Sequence, residues 1–272
     1  MSSHAKILMR PARNERGFTL VELMVTVAIA LFLLGGLLTI VQNVRRASLS
    51  QQSLAQLQDE QRFAMTVITD AIQSGGYFAN PLVDTTANFG PAAVPAPTAA
   101  FQAGWAFAGF HTAGAADNVA QDTLATRFMV APGQGPILCD GTDSSLVAVA
   151  TTYTIVFSIG GVGGNQLLCS VSVNGAAAAA PVPLVTGVTA MAVYYGVKRD
   201  PTFADYNVDT YLTWDQMVPN SLLGTNDYLS ISSIRVVLSF ANPLAGPGQV
   251  NQPAVITMER VVEVMARAGL HT

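Results

Sequence analysis

The feature that most restricts this chain is an apolar run, Phe18–Val41 (FTLVELMVTVAIALFLLGGLLTIV), broken only by Glu22 and scattered Thr. As a helix at 1.5 Å per residue it measures roughly 36 Å, enough to cross a hydrocarbon core of about 30 Å. In front of it stand Lys6, Arg10, Arg13 and Arg16 against Glu15 alone. A basic stretch of this kind stays cytoplasmic, so residues beyond Arg45 are expected on the far side. A cleaved secretory signal would be shorter and end in a small-x-small site, whereas Thr39-Ile40-Val41 follows here. A plain anchor fits the length but leaves Glu22 unexplained. A lone carboxylate deep in lipid costs about 2.5–3.5 kcal/mol on insertion scales, so it needs a task or a partner.

Composition narrows the rest. Charged residues make up 11% of the chain, roughly half the usual share, and mean hydropathy is +0.40. So much apolar surface excludes a disordered chain. A net charge of −4 and a pI of about 5.2 supply no basic footprint for nucleic acid. Beyond Gly75 there are six Lys or Arg against twelve Asp or Glu. The surface there must be made largely of Thr, Ser, Asn, Gln, Ala and Gly.

No Pro occurs between Ala12 and Asn80. After Arg45-Arg46 the chain turns polar but keeps helix formers. Leu54 and Leu57, then Met65, Ile68 and Ile72, outline one apolar stripe, and Phe63–Val67 and Ile68–Ile72 are i,i+4 pairs. Gly75-Gly76 stops the helix. The spacing predicts one element over 18–74, roughly 85 Å long, with residues 18–42 in the membrane and 43–75 lying on a head. Gly35-Gly36 is its weakest point, at about 1 kcal/mol per Gly relative to Ala. Two readings stand there: close packing against another membrane helix, or a bend.

Residues 76–272 form the head. Within it, 77–120 is rich in Ala, Gly and Pro without a period and reads as a long irregular connection in which Trp105, Phe107 and Phe110 must bury. From Thr123 the period becomes two. Leu124-Thr126-Phe128-Val130, Tyr153-Ile155-Phe157-Ile159, Leu167-Cys169-Val171-Val173, Met191-Val193-Tyr195-Val197 and Ile234-Val236-Leu238-Phe240 read as strands. They predict a mostly antiparallel sheet with one face on a core, closed by the second half of the long helix. Residues 254–268 fit both periods, and their Val content favours a strand with a short tail. The fold class is α+β.

Gly160-Gly161-Val162-Gly163-Gly164-Asn165 lacks the Lys of a phosphate loop and reads as a hairpin connection. Cys139 and Cys169 are the only cysteines. The expected topology puts both outside the cytoplasm, so a disulfide is the default, constraining the unfolded chain by roughly 3–4 kcal/mol. Asp205, Asn207 and Asp209 share the spacing that opens a calcium loop, but Thr210 replaces the turn Gly and Gln216 stands where the bidentate Glu belongs. A solvated turn is the better reading; calcium is the one cofactor considered, and no other is indicated. His4, His111 and His271 are scattered, no G-x-S-x-G occurs, and nothing resembles an active site. The chain is read as non-enzymatic.

Arg16-Gly17-Phe18-Thr19-Leu20-Val21-Glu22-Leu23 resembles the class III leader junction of type IV pilins and type II secretion pseudopilins. The resemblance implies that a prepilin peptidase cuts between Gly17 and Phe18 and that Phe18 is N-methylated. It also implies that Glu22, fifth in the mature chain, pairs with the terminal amine of a neighbouring subunit. The head resembles PilW-type minor pilins in Cys139-Asp140-Gly141, Leu167-Leu168-Cys169, Leu184-Val185-Thr186-Gly187-Val188, Tyr194-Tyr195-Gly196-Val197, Val208-Asp209-Thr210-Tyr211 and Ser232-Ser233-Ile234-Arg235-Val236-Val237-Leu238. It departs at Arg267-Ala268-Gly269-Leu270, where that family often has an Arg-Asn pair. The implied protein is an inner-membrane subunit with its head in the periplasm, later at the filament tip. Its implied partners are the other minor pilins, the major pilin and the inner-membrane assembly platform. A J-type minor pseudopilin of a type II secretion system shares the leader, helix and strand-rich head and stays open as the alternative. A tip adhesin or a membrane-anchored periplasmic binding protein is a further reading.

Overall fold

The computed structural model describes residues 17, 19–79, 89–199, 207–218, 226–245 and 252–267. Contacts divide the chain into two units, residues 1–52 and 53–272. Helix α1 (Leu20–Ser74) is helical throughout and contributes to both. Within the first unit every described residue from Thr19 to Leu49 is exposed, apolar side chains included.

In the second unit α1 behaves as an amphipathic helix. Leu57, Ala64, Met65, Ile68, Ala71 and Ile72 are buried, the spacing expected of one apolar stripe. Leu54 is half-buried, and Phe63 remains half exposed. The helix stops at the glycine pair. Gly75 N–H donates to Ile72 O (3.0 Å), and Gly76 takes a φ of +78°, a conformation that needs no Cβ. Gly75 also brings backbone against the sheet: a Cβ there would fall on the Phe107 ring and the Thr126 hydroxyl.

Among the described residues nine strands follow, in two antiparallel sheets instead of the single sheet expected. The first is a meander of β1 (Phe107–Phe110), β2 (Thr123–Val130), β3 (Thr151–Gly160), β4 (Gln166–Val173) and β5 (Val182–Thr186), paired in that order. The second orders β7 (Thr210–Leu212), β6 (Val188–Val197), β8 (Ser233–Ala241) and β9 (Val255–Glu263). Alternation decides which side faces in. Leu124 sits opposite Phe157, and Phe157 opposite Cys169; Val193 sits opposite Val236, and Leu238 opposite Met258. These residues and the stripe of α1 form one continuous core.

The reading of residues 77–120 as wholly irregular is corrected at two points. Strand β1 lies inside it, paired with β2 from Phe107–Thr126 to Phe110–Thr123, and Ala92 bridges Phe101. Phe107-Ala108-Gly109-Phe110 is too short to display a period. Trp105 buries by stacking on Tyr228, with centroids 4.1 Å apart, and meets Trp214 edge-on. The segment Gly160–Asn165 is the β3–β4 connection, and β9 is a strand followed by a short 3-10 turn, Met265–Arg267.

Candidate functional site

The start of α1 is built by a local sequence signal. Thr19 Oγ1 accepts the Glu22 N–H (3.3 Å), and Thr19 O accepts the Leu23 N–H (3.1 Å). Thr19 is therefore the cap of a helix beginning at Leu20, with only the Thr half of a T-x-x-E capping box formed. The same residues carry the cleavage junction expected from the sequence. The cap fixes Glu22 in the first helical turn, where backbone N–H groups and the helix dipole favour negative charge. The other polar side chains of the run are satisfied internally: Thr26 Oγ1 donates to Leu23 O (2.9 Å) and Thr39 Oγ1 to Gly36 O (2.7 Å). Of the polar residues in this run, Glu22 is the one whose side chain has no hydrogen bond or ion pair among the described residues. Gly17, before the expected cut, is exposed; Phe18 lies outside the described residues. Across Gly35 and Gly36 the helix is continuous, and a Cβ on either would meet nothing within 4 Å.

The head treats its charges differently. Arg127 on β2 is buried with no carboxylate paired to it among the described residues. Its guanidinium donates to the carbonyls of Trp105, Gly90 (2.6 Å), Gln102 (2.8 Å) and Phe89 (3.2 Å), and lies 4.9 and 4.5 Å from the ring centroids of Phe89 and Phe101. Burial lowers its pKa to about 10, which still leaves it charged at neutral pH. It staples residues 89–105 over the sheet face opposite α1. Asp122, fully buried, joins the two sheets. Its Oδ1 accepts Thr112 N–H (2.9 Å), its Oδ2 accepts Val193 N–H of β6 (3.0 Å), and His111 Nδ1 lies 3.0 Å away. Beside it Gln121 pairs with Met191 in a parallel bridge. Asp227, also fully buried, accepts Arg199 Nη2 (2.5 Å) and Val218 N–H (2.9 Å).

Cys139 and Cys169 are joined in a disulfide, Cα to Cα 6.3 Å, which ties the loop after β2 to β4. Beside it a groove of about 320 Å³ runs along α1, lined by Phe63, Val67, Phe128, Ile137 and Leu138. Of the calcium-spaced residues, Asp205 lies outside the described residues. Asn207 and Asp209 are exposed, and Asp209 Oδ2 accepts the Arg199 backbone N–H (2.9 Å). Among the described residues, no three His, Cys, Asp or Glu gather as a metal site would require. His4 and His271 lie outside the described residues.

Two family models match the chain. The prokaryotic N-terminal methylation motif covers residues 12–38, from within the leader to two residues past Gly36. Type IV Pilus-assembly protein W covers residues 152–266, from β3 to the turn after β9. No curated protein and no solved structure matches. A long apolar helix behind a prepilin leader, followed by antiparallel sheets, defines a pilin-type membrane-anchored protein. The two matches together are those of a PilW-type minor pilin: the chain is similar to a type IV pilus minor pilin over an N-terminal methylation motif and a PilW domain. Such families are structural assembly proteins, which implies processing by prepilin peptidase and contact with other pilus components.

Proposed function

We propose that this chain is a minor pilin that helps prime pilus assembly and ends at the filament tip. Prepilin peptidase removes residues 1–17, Phe18 becomes the methylated amino terminus, and the subunit waits in the inner membrane with its head in the periplasm. Glu22 then drives docking with other minor pilins, the major pilin and the assembly platform. The observation that carries this reading is Glu22, the one polar side chain of the apolar run without a hydrogen bond or ion pair among the described residues, one helical turn behind Gly17-Phe18. Leaving it unpaired in lipid costs about 2.5–3.5 kcal/mol, and the amine of a neighbouring subunit removes that penalty. Gly35-Gly36 is the bend used on leaving the bilayer, since two glycines weaken the helix there by about 1 kcal/mol each relative to Ala. The test is Glu22→Ala: the protein should be cleaved after Gly17 and reach the membrane, yet fall at least tenfold in sheared pili. Normal recovery in pili would remove the docking function from Glu22.

A further inference from the structure

Three of the four sheet edges are blunted. Strand β1 has four residues, β7 has three, and β5 carries Pro183 beside a register shift against β4. Short length, Pro and bulges are how natural sheets refuse further strands. Strand β9 is nine residues long, has no Pro, and pairs with β8 without a shift.

Its register shows which backbone groups are left over. Val264 N–H donates to Ser232 O and Asn242 N–H to Ala254 O, so the even-numbered residues of this strand bond to β8. In an antiparallel ladder the alternate residues direct N–H and C=O the other way. These are Val255, Thr257, Glu259, Val261 and Glu263, and no backbone hydrogen bond reaches them from other described residues. All but Val255 are exposed, Val261 to 52%.

The charges select the occupant. A second copy pairing through all five residues about a two-fold axis would set Glu259 against Glu259, and like charges directly opposite are destabilising. Glu259 spends Oε2 on Arg235 (2.7 Å) and is still 61% exposed, while Glu263 has no ion pair among the described residues. The opposite side of β9 presents half-buried Ile256 and Met258. We propose that the β9 edge takes an extended segment of a different protein subunit as a fifth strand of this sheet. Its Lys or Arg alternate with apolar residues, the basic side chains meeting Glu259 and Glu263. The inference does not depend on the filament reading, because it rests on the head alone.

The probe is a labelled nine-residue peptide of alternating Lys and Val, compared with its Glu/Val counterpart, on the full chain in detergent micelles. Fluorescence anisotropy should show the Lys peptide binding at least tenfold tighter. Val261→Pro removes an N–H that faces the open edge and spares the β8 ladder, and should weaken the Lys peptide at least tenfold. Glu263→Lys, an exposed change that leaves the backbone alone, should shift preference toward the Glu peptide. Equal binding of the two peptides would overturn the proposal. So would undiminished binding by a folded Val261→Pro chain or an unchanged preference in Glu263→Lys. Sedimentation showing a dimer that Val261→Pro dissolves would assign the edge to a second copy instead.

Discussion

The first thirty residues of α1 and the head handle ionic groups in opposite ways. In the helix, one carboxylate stands at the first turn of an exposed apolar surface, its side chain without a hydrogen bond or ion pair among the described residues. In the head, Arg127, Asp122 and Asp227 are removed from water, and each is met by several hydrogen-bonding groups placed by the fold. A buried charge is tolerable only when so surrounded. These three buried charges of the head are thus met from within the chain, whereas under the proposed function Glu22 is met by another subunit. Substitutions in the two regions should accordingly separate stability from assembly.

The largest effect is expected at Arg127. Arg127→Met leaves four carbonyls without their donor, and unsatisfied buried acceptors cost about 1–3 kcal/mol each where water stays out. A loss of about 3–5 kcal/mol in urea unfolding is expected, with faster proteolysis between Phe89 and Trp105. A loss below about 1 kcal/mol would show that the head's cation is not needed and would break the contrast. Next comes the disulfide: Cys139→Ser with Cys169→Ser should cost about 3–4 kcal/mol by loop entropy, while recovery of any correctly folded protein in pili is unaffected. The smallest effect belongs to Thr19→Ala, which removes the cap of α1 at about 1 kcal/mol. Amide exchange at Glu22 and Leu23 should speed up severalfold while the unfolding midpoint of the head stays put. A shift of that midpoint would mean that the two regions are coupled.

Much of this was legible in the residues. Strands β2, β3, β4, β6 and β8 announce themselves because apolar side chains alternate over eight to ten positions, and the α1 stripe because it repeats at helical steps. Strands β1, β5 and β7 do not: four residues, a Pro, and three residues carry too little pattern. The division into two sheets was hidden for another reason. Alternation states that a strand has an inner face and is silent on which strand lies beside it. The burial of Arg127 carries no sequence signal either, since a basic residue between alternating apolar ones fits an outward-facing position equally well. The carbonyls that bury it come from positions 89–105, where no regular spacing points back to β2. At the amino terminus the reverse holds. Leader, cap and carboxylate are contiguous, so their relation could be read directly.

The link between the sheets through Asp122 also bears on the order in which the head forms. Each strand of the first sheet pairs with its sequence neighbour, so that meander can assemble while later segments are still being made. The bond from Val193 to Asp122 spans 71 residues, and that from Arg260 to Thr69 spans 191. Contacts of such long span close late and slowly. A nascent head therefore holds a half-built sandwich until its final strand arrives, and the outermost strand β9 is the last part of the fold to be committed.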